Sequence, residues 1–482
     1  MGNALAVAVQ EDRMIKDRFM TLQKGQLLEL EIAEMAFGGK GLARVDGFVV
    51  FVENSVPQDR VTARIIKKNK NFAEARLVDI VKPSPFRIKE PCMYSGYCGG
   101  CKWQFLAYEK QLEYKRRHVV DCLEHIGLMK EVDVRPAIPS PLMFGYRNKM
   151  EFTCSDRRWF LPDEMGREDV DAGFALGLHV PGTFQKVLDL RECLLQPETG
   201  NDILNEVGRF IRKAGAPVYG LKSHIGFWRF LMLRHSVAYD RWMVNIITAS
   251  EDRGQVQPLA DLLREKYPQI VSIVNNITSS KAGIAVGEYE ILLAGDSCLR
   301  DKIGSFEFEI SANSFFQTNT RGAERLYETV KKYAHLSGKE MIVDLYSGTG
   351  TIPIWLSDAA KEVIGMEIVE SAVSDARKNC EINEVSNCRF IQGDIRNCLS
   401  RVSVSPDIMV IDPPRSGMHK DVLKRVIEMA PRQMVYVSCN PGTMARDLGM
   451  MKDHYRVLEV QPVDMFPHTW HIESVAQLER NS

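Results

Sequence analysis

The sequence predicts an α/β protein whose last third is a parallel sheet covered by helices on both faces. Ahead of it stand a small antiparallel barrel and a mixed, mostly antiparallel central domain. Three observations carry this reading. From about Ser311 onward, short apolar runs alternate with helical periodicity. One of those runs, MIVDLYSGTG, reaches Asp344 and then turns through Gly348 and Gly350 into a helix, the loop that brings backbone close to a ligand. Between Thr21 and Lys82, short alternating runs are punctuated by Gly38-Gly39 and Asp46-Gly47.

Size and composition bound what the chain does. At 482 residues, 45% hydrophobic and 26% charged, it is a globular chain of about two to four domains. No run of eighteen apolar residues occurs, which excludes a membrane-spanning helix. The net charge of -1 excludes a polycation, so any nucleic-acid surface is a local patch. The opening MGNALAVAVQED lacks a basic n-region, so residues 1–20 read as a leader and the cytoplasm as the compartment. Eleven cysteines, unevenly spread, then point to metal or catalysis before disulfides.

Residues 21–84 form the barrel, from LLELEIAEMA, GLARVDGFVVFVEN, RVTARIIKKN and FAEARLVDIV. Arg60, Arg64, Lys67, Lys68 and Lys70 crowd one strand and turn, a cluster suited to a phosphate backbone. Pro83-Ser84-Pro85 reads as a linker. Residues 85–310 make the central domain. Its first motif, PCMYSGYCGGCKWQ, places Cys92, Cys98 and Cys101 at C-x5-C-x2-C, a thiolate density that calls for a soft metal or an iron–sulfur cluster. Spacing leaves the fourth ligand open among Cys122, Cys154 and Cys193. The segment 103–126 is helical, with Gly127 as its stop and Lys115-Arg116-Arg117 on a solvated face. Strands MEFTCS, FALGLHV, FLMLRHS, RWMVNIIT and IVSIVNN follow, with Arg147 and Lys149 beside aromatics in GYRNKMEF.

Residues 311–482 form the ligand-binding sheet. The turn after Asp344 is G-x-G without the third glycine of a dinucleotide fingerprint, which favours S-adenosylmethionine over a nicotinamide. Glu367 ends the next strand, where a carboxylate accepts ribose hydroxyls, and Asp394 ends the third, within reach of an adenine amino group. Strand DIMVIDPPRSGM places Asp412 at the site mouth, followed by Arg415 where enzymes acting on exocyclic amines carry an aromatic residue. MVYVSCNPGTM puts Cys439 at a strand's carboxyl end, the place for a nucleophile. A thiolate has no use against an amine, but adding to C6 of a uracil makes C5 an enolate carbon able to accept a methyl group. The C5 proton must then leave, and DMFPHTWHIE offers His468, His471 and Glu473 without ranking them.

Taken together, SANSFFQTN, DLYSGTG, DPPRSG, VYVSCNP and DMFPHTWHIE resemble the RNA uracil-5-methyltransferases, and AFGGKGLARVDGFVVFVENSVPQD resembles their TRAM module. The likeness covers about residues 21–475 and is nearest the RumA-like enzymes of 23S ribosomal RNA. It implies a class I S-adenosylmethionine-dependent methyltransferase sheet of Rossmann-like type, an OB-like TRAM barrel and a central iron–sulfur domain. By the same likeness Cys439 is the nucleophile and Glu473 the base, while Gln317, Tyr346, Thr351, Glu367, Asp394 and Asp412 line the S-adenosyl-L-methionine pocket. Cys92, Cys98, Cys101 and Cys193 would hold a 4Fe-4S cluster. Relatives often carry Asn where Thr351 stands, and residues 157–182 read as an insertion ahead of Cys193. The expected partner is RNA, the large-subunit ribosomal RNA first, and the expected state a monomer.

Overall fold

A computed structural model describes residues 22–401 and 405–481; the leader expected over residues 1–20 lies outside the described residues. The described residues fall into two compact units, one of residues 22–96, 101–114 and 468–470, the other of residues 97–100, 115–401, 405–467 and 471–481.

Among the described residues the first unit holds six strands, β1 (Leu27–Glu31), β2 (Glu34–Met35), β3 (Gly41–Val45), β4 (Phe48–Glu53), β5 (Arg60–Lys68) and β6 (Phe72–Lys82), in the order β1-β5-β6-β4-β3-β2; β4 and β6 pair in parallel, so the module is not wholly antiparallel as its short alternating runs suggested. Strands β3 and β4 form a hairpin because Asp46 (φ 49°) and Gly47 (φ 86°) both take positive φ, the type I′ geometry that matches strand twist. Alternation along β5 turns Val61, Ala63 and Ile65 into a core with Val50, Val52, Ala73 and Ala75, and leaves Arg64 and Lys67 exposed. The expected linker at Pro83–Pro85 is instead anchored. Asp59, fully buried, accepts the amides of Val56 (2.8 Å) and Ser84 (2.8 Å) and pairs with Arg87 Nη2 at 2.6 Å. Its carboxylate is thus fully partnered, which is what makes its burial tolerable.

The second unit contains two large sheets. The central one, from β8 (Lys149–Ser155), β9 (Ala175–Gly177), β10 (Trp228–Ser236), β11 (Arg241–Thr248), β12 (Ile270–Ile277) and β13 (Tyr289–Gly295), runs β13-β12-β11-β10-β8-β9. Only β11 and β12 pair in parallel, so the mostly antiparallel expectation holds. A hairpin of β14 (Cys298–Ile303) and β15 (Phe306–Ser311) follows. The last sheet adds β7 (Asp133–Val134) to β16 (Met341–Leu345), β17 (Glu362–Glu367), β18 (Cys388–Gln392), β19 (Ile408–Ile411), β20 (Gln433–Ser438), β21 (Tyr455–Val463) and β22 (Glu473–Arg480). Its order is β18-β17-β16-β19-β20-β22-β21-β7, parallel from β18 to β20, with β22 antiparallel between β20 and β21.

Two separate apolar clusters line its faces. Val343, Leu345, Met409, Met434 and Tyr436 point to one, while Ile342, Val363, Val410, Val435 and Val437 point to the other. Burial on both faces is why these strands read as continuous apolar runs rather than alternating ones. The chain leaves β16 towards β17 on one side and returns as β19 on the other, so the switch point of the sheet opens at the carboxyl end of β16.

The helix that follows the cysteine motif spans Tyr108–His125, starting five residues later than its sequence pattern suggests. Lys115 is not on a solvated face: it is fully buried, with Nζ 2.6 Å from Asp464 Oδ1 and 3.0 Å from the Phe466 carbonyl. Its partner lies 349 residues away in sequence, out of reach of any local pattern.

Candidate active site

The glycine turn sits at the switch point. Gly350, at φ 81°, caps the helix Thr351–Ser357, and a Cβ there would lie 2.9 Å from Phe390, so a side chain at this position would be strained. Glu367, the last residue of β17, accepts the Gly348 amide at 3.0 Å and the amides of Ile368 and Val369 at 2.7 and 2.8 Å. Beside this loop a cavity of about 680 Å³ is lined by Tyr346, Ile368, Asp394, Pro414, Met418 and Leu423, among others. Tyr346 reaches it from a left-handed backbone (φ 67°). Asp394 caps the helix Ile395–Cys398 and is bound by Arg396 Nε at 3.0 Å, which with the Arg396 amide draws its carboxyl down to about 2.

Gln317 and Thr351 come together on a residue that the sequence did not single out. The buried hydroxyl of Tyr327 lies 2.9 Å from Thr351 Oγ1 and also meets the Gln317 side chain. Asp344, which the sequence marks only as the strand end before the glycine turn and not as a site residue, is a second, one residue short of the end of β16. It is fully buried, neither carboxylate oxygen has a hydrogen-bond partner among the described residues, and burial, Asp412 and Glu367 hold its pKa well above the usual value. Ser347 Oγ, in the same loop, is likewise buried without a partner. Native interiors rarely leave such groups unmet, so a donor-bearing ligand fits this cradle. An acid inside an apolar run was the available signal for Asp344; nothing local marks Tyr327.

Cys439 follows β20 directly, and Asn440 caps the helix Pro441–Met451 by accepting the Gly442 amide. Strands β20 and β22 pair Ser438 with Ser474, and continuing that register by one residue sets Cys439 opposite Glu473. Asp412 directly follows the neighbouring strand β19. Arg415 binds the same turn through its carbonyl, which accepts Asn440 Nδ2 (3.0 Å) and Thr443 Oγ1 (3.2 Å). The four side chains share one field. Burial pushes Asp412 up to about 7. Burial, then Asp412, pushes Glu473 up to about 8 against the pull of Arg415. Burial, then Glu473, pushes the Cys439 thiol up to about 11, and Arg415 again opposes.

The three bases left open by the sequence part here. His468 is built into the first unit, where its amide donates to Gln111 Oε1 (2.8 Å) and its carbonyl accepts the Lys102 and Trp103 amides. His471 is pulled down to about 4 by burial and by the charges of Arg415, Lys115 and Arg147, so it is neutral at pH 7. Glu473, 6% exposed, is the acid set opposite Cys439.

Among the described residues no set of three or more His, Cys, Asp or Glu side chains is gathered to hold a metal ion, so the four-cysteine cluster finds no support there. Cys154 is a core residue of β8, 1% exposed. Cys98 Sγ lies 3.4 Å from the Gly100 amide, and the Cys193 amide donates to Asn201 Oδ1 at 2.8 Å.

With this geometry in place, comparison with known proteins is informative. The family model for tRNA (uracil-5-)-methyltransferases matches residues 296–481, and that for the TRAM domain matches residues 22–78. An uncharacterized RNA methyltransferase of Chlorobaculum tepidum is 42% identical over 95% of this chain and 97% of its own length. One from Porphyromonas gingivalis is 39% identical over 94% of this chain and its whole length. Among solved structures, the tRNA (uracil-54, C5)-methyltransferase of Pyrococcus abyssi in complex with S-adenosyl-L-homocysteine superposes with a TM-score of 0.74 at 30% identity, over 94% of this chain and all of that one.

Proposed function

The chain belongs to the TRAM-bearing RNA uracil-5-methyltransferase family, and from that premise we propose that it methylates C5 of a uridine in structured RNA through a covalent Cys439 adduct. The observation that carries the reading is the register that, continued by one residue, sets a cysteine and a buried, proton-retaining glutamate opposite each other at the carboxyl end of β20. S-adenosylmethionine, when bound, would supply an electrophilic methyl group on its sulfonium sulfur and leave as S-adenosylhomocysteine. Gln317, Tyr346, Thr351, Glu367, Asp394 and Asp412 bind it, the ribose falling to Glu367 and the adenine to Asp394.

Cys439 gives up its proton to solvent as RNA binds, so that Glu473 stays free for the later step; Arg415 offsets the negative charge of the thiolate, and the sulfur then adds to C6 of a uracil turned out of its stack. The C5=C6 electron pair moves onto C5 and O4, and C5 takes the methyl group. Glu473, ionised, removes the C5 proton. The pair left on C5 re-forms the double bond and expels the Cys439 thiolate.

Large-subunit ribosomal RNA is the first substrate reading, from the likeness of the motifs to the 23S enzymes. Transfer RNA is the second, favoured by the superposition on an enzyme named for uracil-54 of tRNA. Cys92, Cys98, Cys101 and Cys193 would hold a four-iron–four-sulfur cluster of structural role; what supports this reading is the C-x5-C-x2-C spacing and the likeness of the motifs, not a gathered ligand set. Purified without oxygen, the protein should carry about four irons per chain on this reading, whereas a colourless zinc protein would refute it. The chain acts as a cytoplasmic monomer.

The test is total RNA from a strain lacking the gene, incubated with labelled S-adenosylmethionine and either wild type or Cys439→Ala. Label should appear as 5-methyluridine with wild type only, and its migration with 23S or transfer RNA decides the substrate. Label surviving in Cys439→Ala would sink the thiolate mechanism.

A further inference from the structure

The segment 312–319, between β15 and the helix Thr320–Ala334, carries Gln317 yet belongs to neither helix nor strand. Its carbonyls are met from elsewhere in the second unit. Arg234, on β10 and 3% exposed, donates Nε and Nη2 to the Ala312 carbonyl (3.3 and 3.2 Å) and Nη2 also to that of Ser314. Asn148 donates Nδ2 to the Gln317 carbonyl (2.8 Å) and its amide to that of Thr318 (3.0 Å). Thr349, in the glycine turn, donates Oγ1 to the Phe315 carbonyl at 3.3 Å.

A buried guanidinium is costly unless its donors and its charge are met. Arg234 feels the field of Glu151, but that carboxylate is ion-paired with Lys149 Nζ at 2.6 Å, so the fork is spent on two carbonyls of one turn. Lysine, a point donor, cannot span both with the same rigidity. The segment so held delivers the Gln317 side chain to the Tyr327 hydroxyl, where Thr351 Oγ1 also arrives.

We propose that Arg234 is a positioning residue for the methyl-transfer reaction: its fork fixes the Ala312–Ser314 turn and thereby presents Gln317 to S-adenosylmethionine. The inference rests on the cofactor role assigned to Gln317 above. If Arg234 were only a strut of the central sheet, its loss would lower stability and leave cofactor affinity alone.

The experiment is calorimetric titration of the full-length protein with S-adenosylhomocysteine, for wild type, Arg234→Met, Arg234→Lys, Gln317→Ala and the Arg234→Met/Gln317→Ala pair, with thermal melting of each. Arg234→Met should bind about tenfold more weakly and Arg234→Lys about threefold, and the double variant should bind no more weakly than Gln317→Ala, because the two act as one unit. Arg234→Lys carries the test should Arg234→Met not fold. Wild-type affinity in both Arg234 variants, or losses that add in the double variant, would overturn the proposal. Wild-type affinity in Gln317→Ala would overturn it too, by removing the contact it acts through. Failure of the wild-type protein itself to bind would instead fall on the functional reading.

Discussion

Glu473 is where the chemistry and the stability of the site pull in opposite directions. Its carboxyl is held near 8 against an ordinary 4.5, and that of Asp412 near 7 against 3.8, chiefly by burial in both cases. Below about pH 3 both are protonated in the folded and the unfolded chain, and folding costs them nothing electrostatic. As pH rises towards 7 and 8 the unfolded chain releases these protons first, so the folded state loses stability across that window. Glu473→Gln should therefore melt above wild type at pH 9, by a few degrees, with the gap closing by pH 5. Catalysis runs the other way: the base must be ionised to take the C5 proton, so the single-turnover rate should rise with pH through about 8. In Glu473→Gln turnover should fall by about 10²–10⁴-fold, and a methylated protein–RNA adduct should accumulate on a denaturing gel. An unaltered rate in that variant would assign the proton to another group.

At the scale of elements, the turn after β21 is held by a buried ion pair. Lys115 Nζ binds Asp464 and the Phe466 carbonyl, and Asp464 Oδ1 also accepts the Phe466 amide at 3.0 Å, just ahead of the segment that leads to Glu473. Replacing one member leaves a charge buried, so Lys115→Met should cost about 3–5 kcal/mol in urea unfolding. A loss below about 1 kcal/mol would show that the pair is solvated in practice.

This pair also marks the limit of what the sequence revealed. Glu367, Asp412 and Cys439 were legible because each directly ends or follows an apolar run, and position at a strand end needs only local periodicity. Lys115, Tyr327 and Arg234 were not, because their roles come from partners far off in the chain. Lys115 sat in a basic triplet that looked solvated, and Arg234 in a strand whose register with β8 is a tertiary fact. Pro83–Pro85 misled in the same way, since Asp59, 25 residues before Ser84, turns a linker signal into an anchored corner.

On the scale of the whole molecule, a net charge of -1 leaves RNA binding to local patches, and among the described residues no helix is long and apolar enough to cross a membrane. On β5 and the turn after it, Arg64, Lys67 and Lys70 are exposed while Val61, Ala63 and Ile65 of the same strand fill the core of the first unit. Neutralising those three cations together should weaken RNA binding and lower the slope of log affinity against log salt by about 2, at roughly 0.7 per phosphate contact. Affinity for S-adenosylhomocysteine should not change. An unchanged salt slope would move the RNA-contacting patch elsewhere.

The central claim, that Cys439 adds to the pyrimidine before methyl transfer, is tested most directly with RNA carrying 5-fluorouridine. Fluorine at C5 cannot leave as a proton, so the reaction should stop after methylation with the sulfur still bonded to C6. Mass analysis of the digested complex should find one methylated fluorouridine attached to the peptide that contains Cys439, and none with Cys439→Ala. Release of free methylated RNA with no adduct, or an adduct on another residue, would contradict the account.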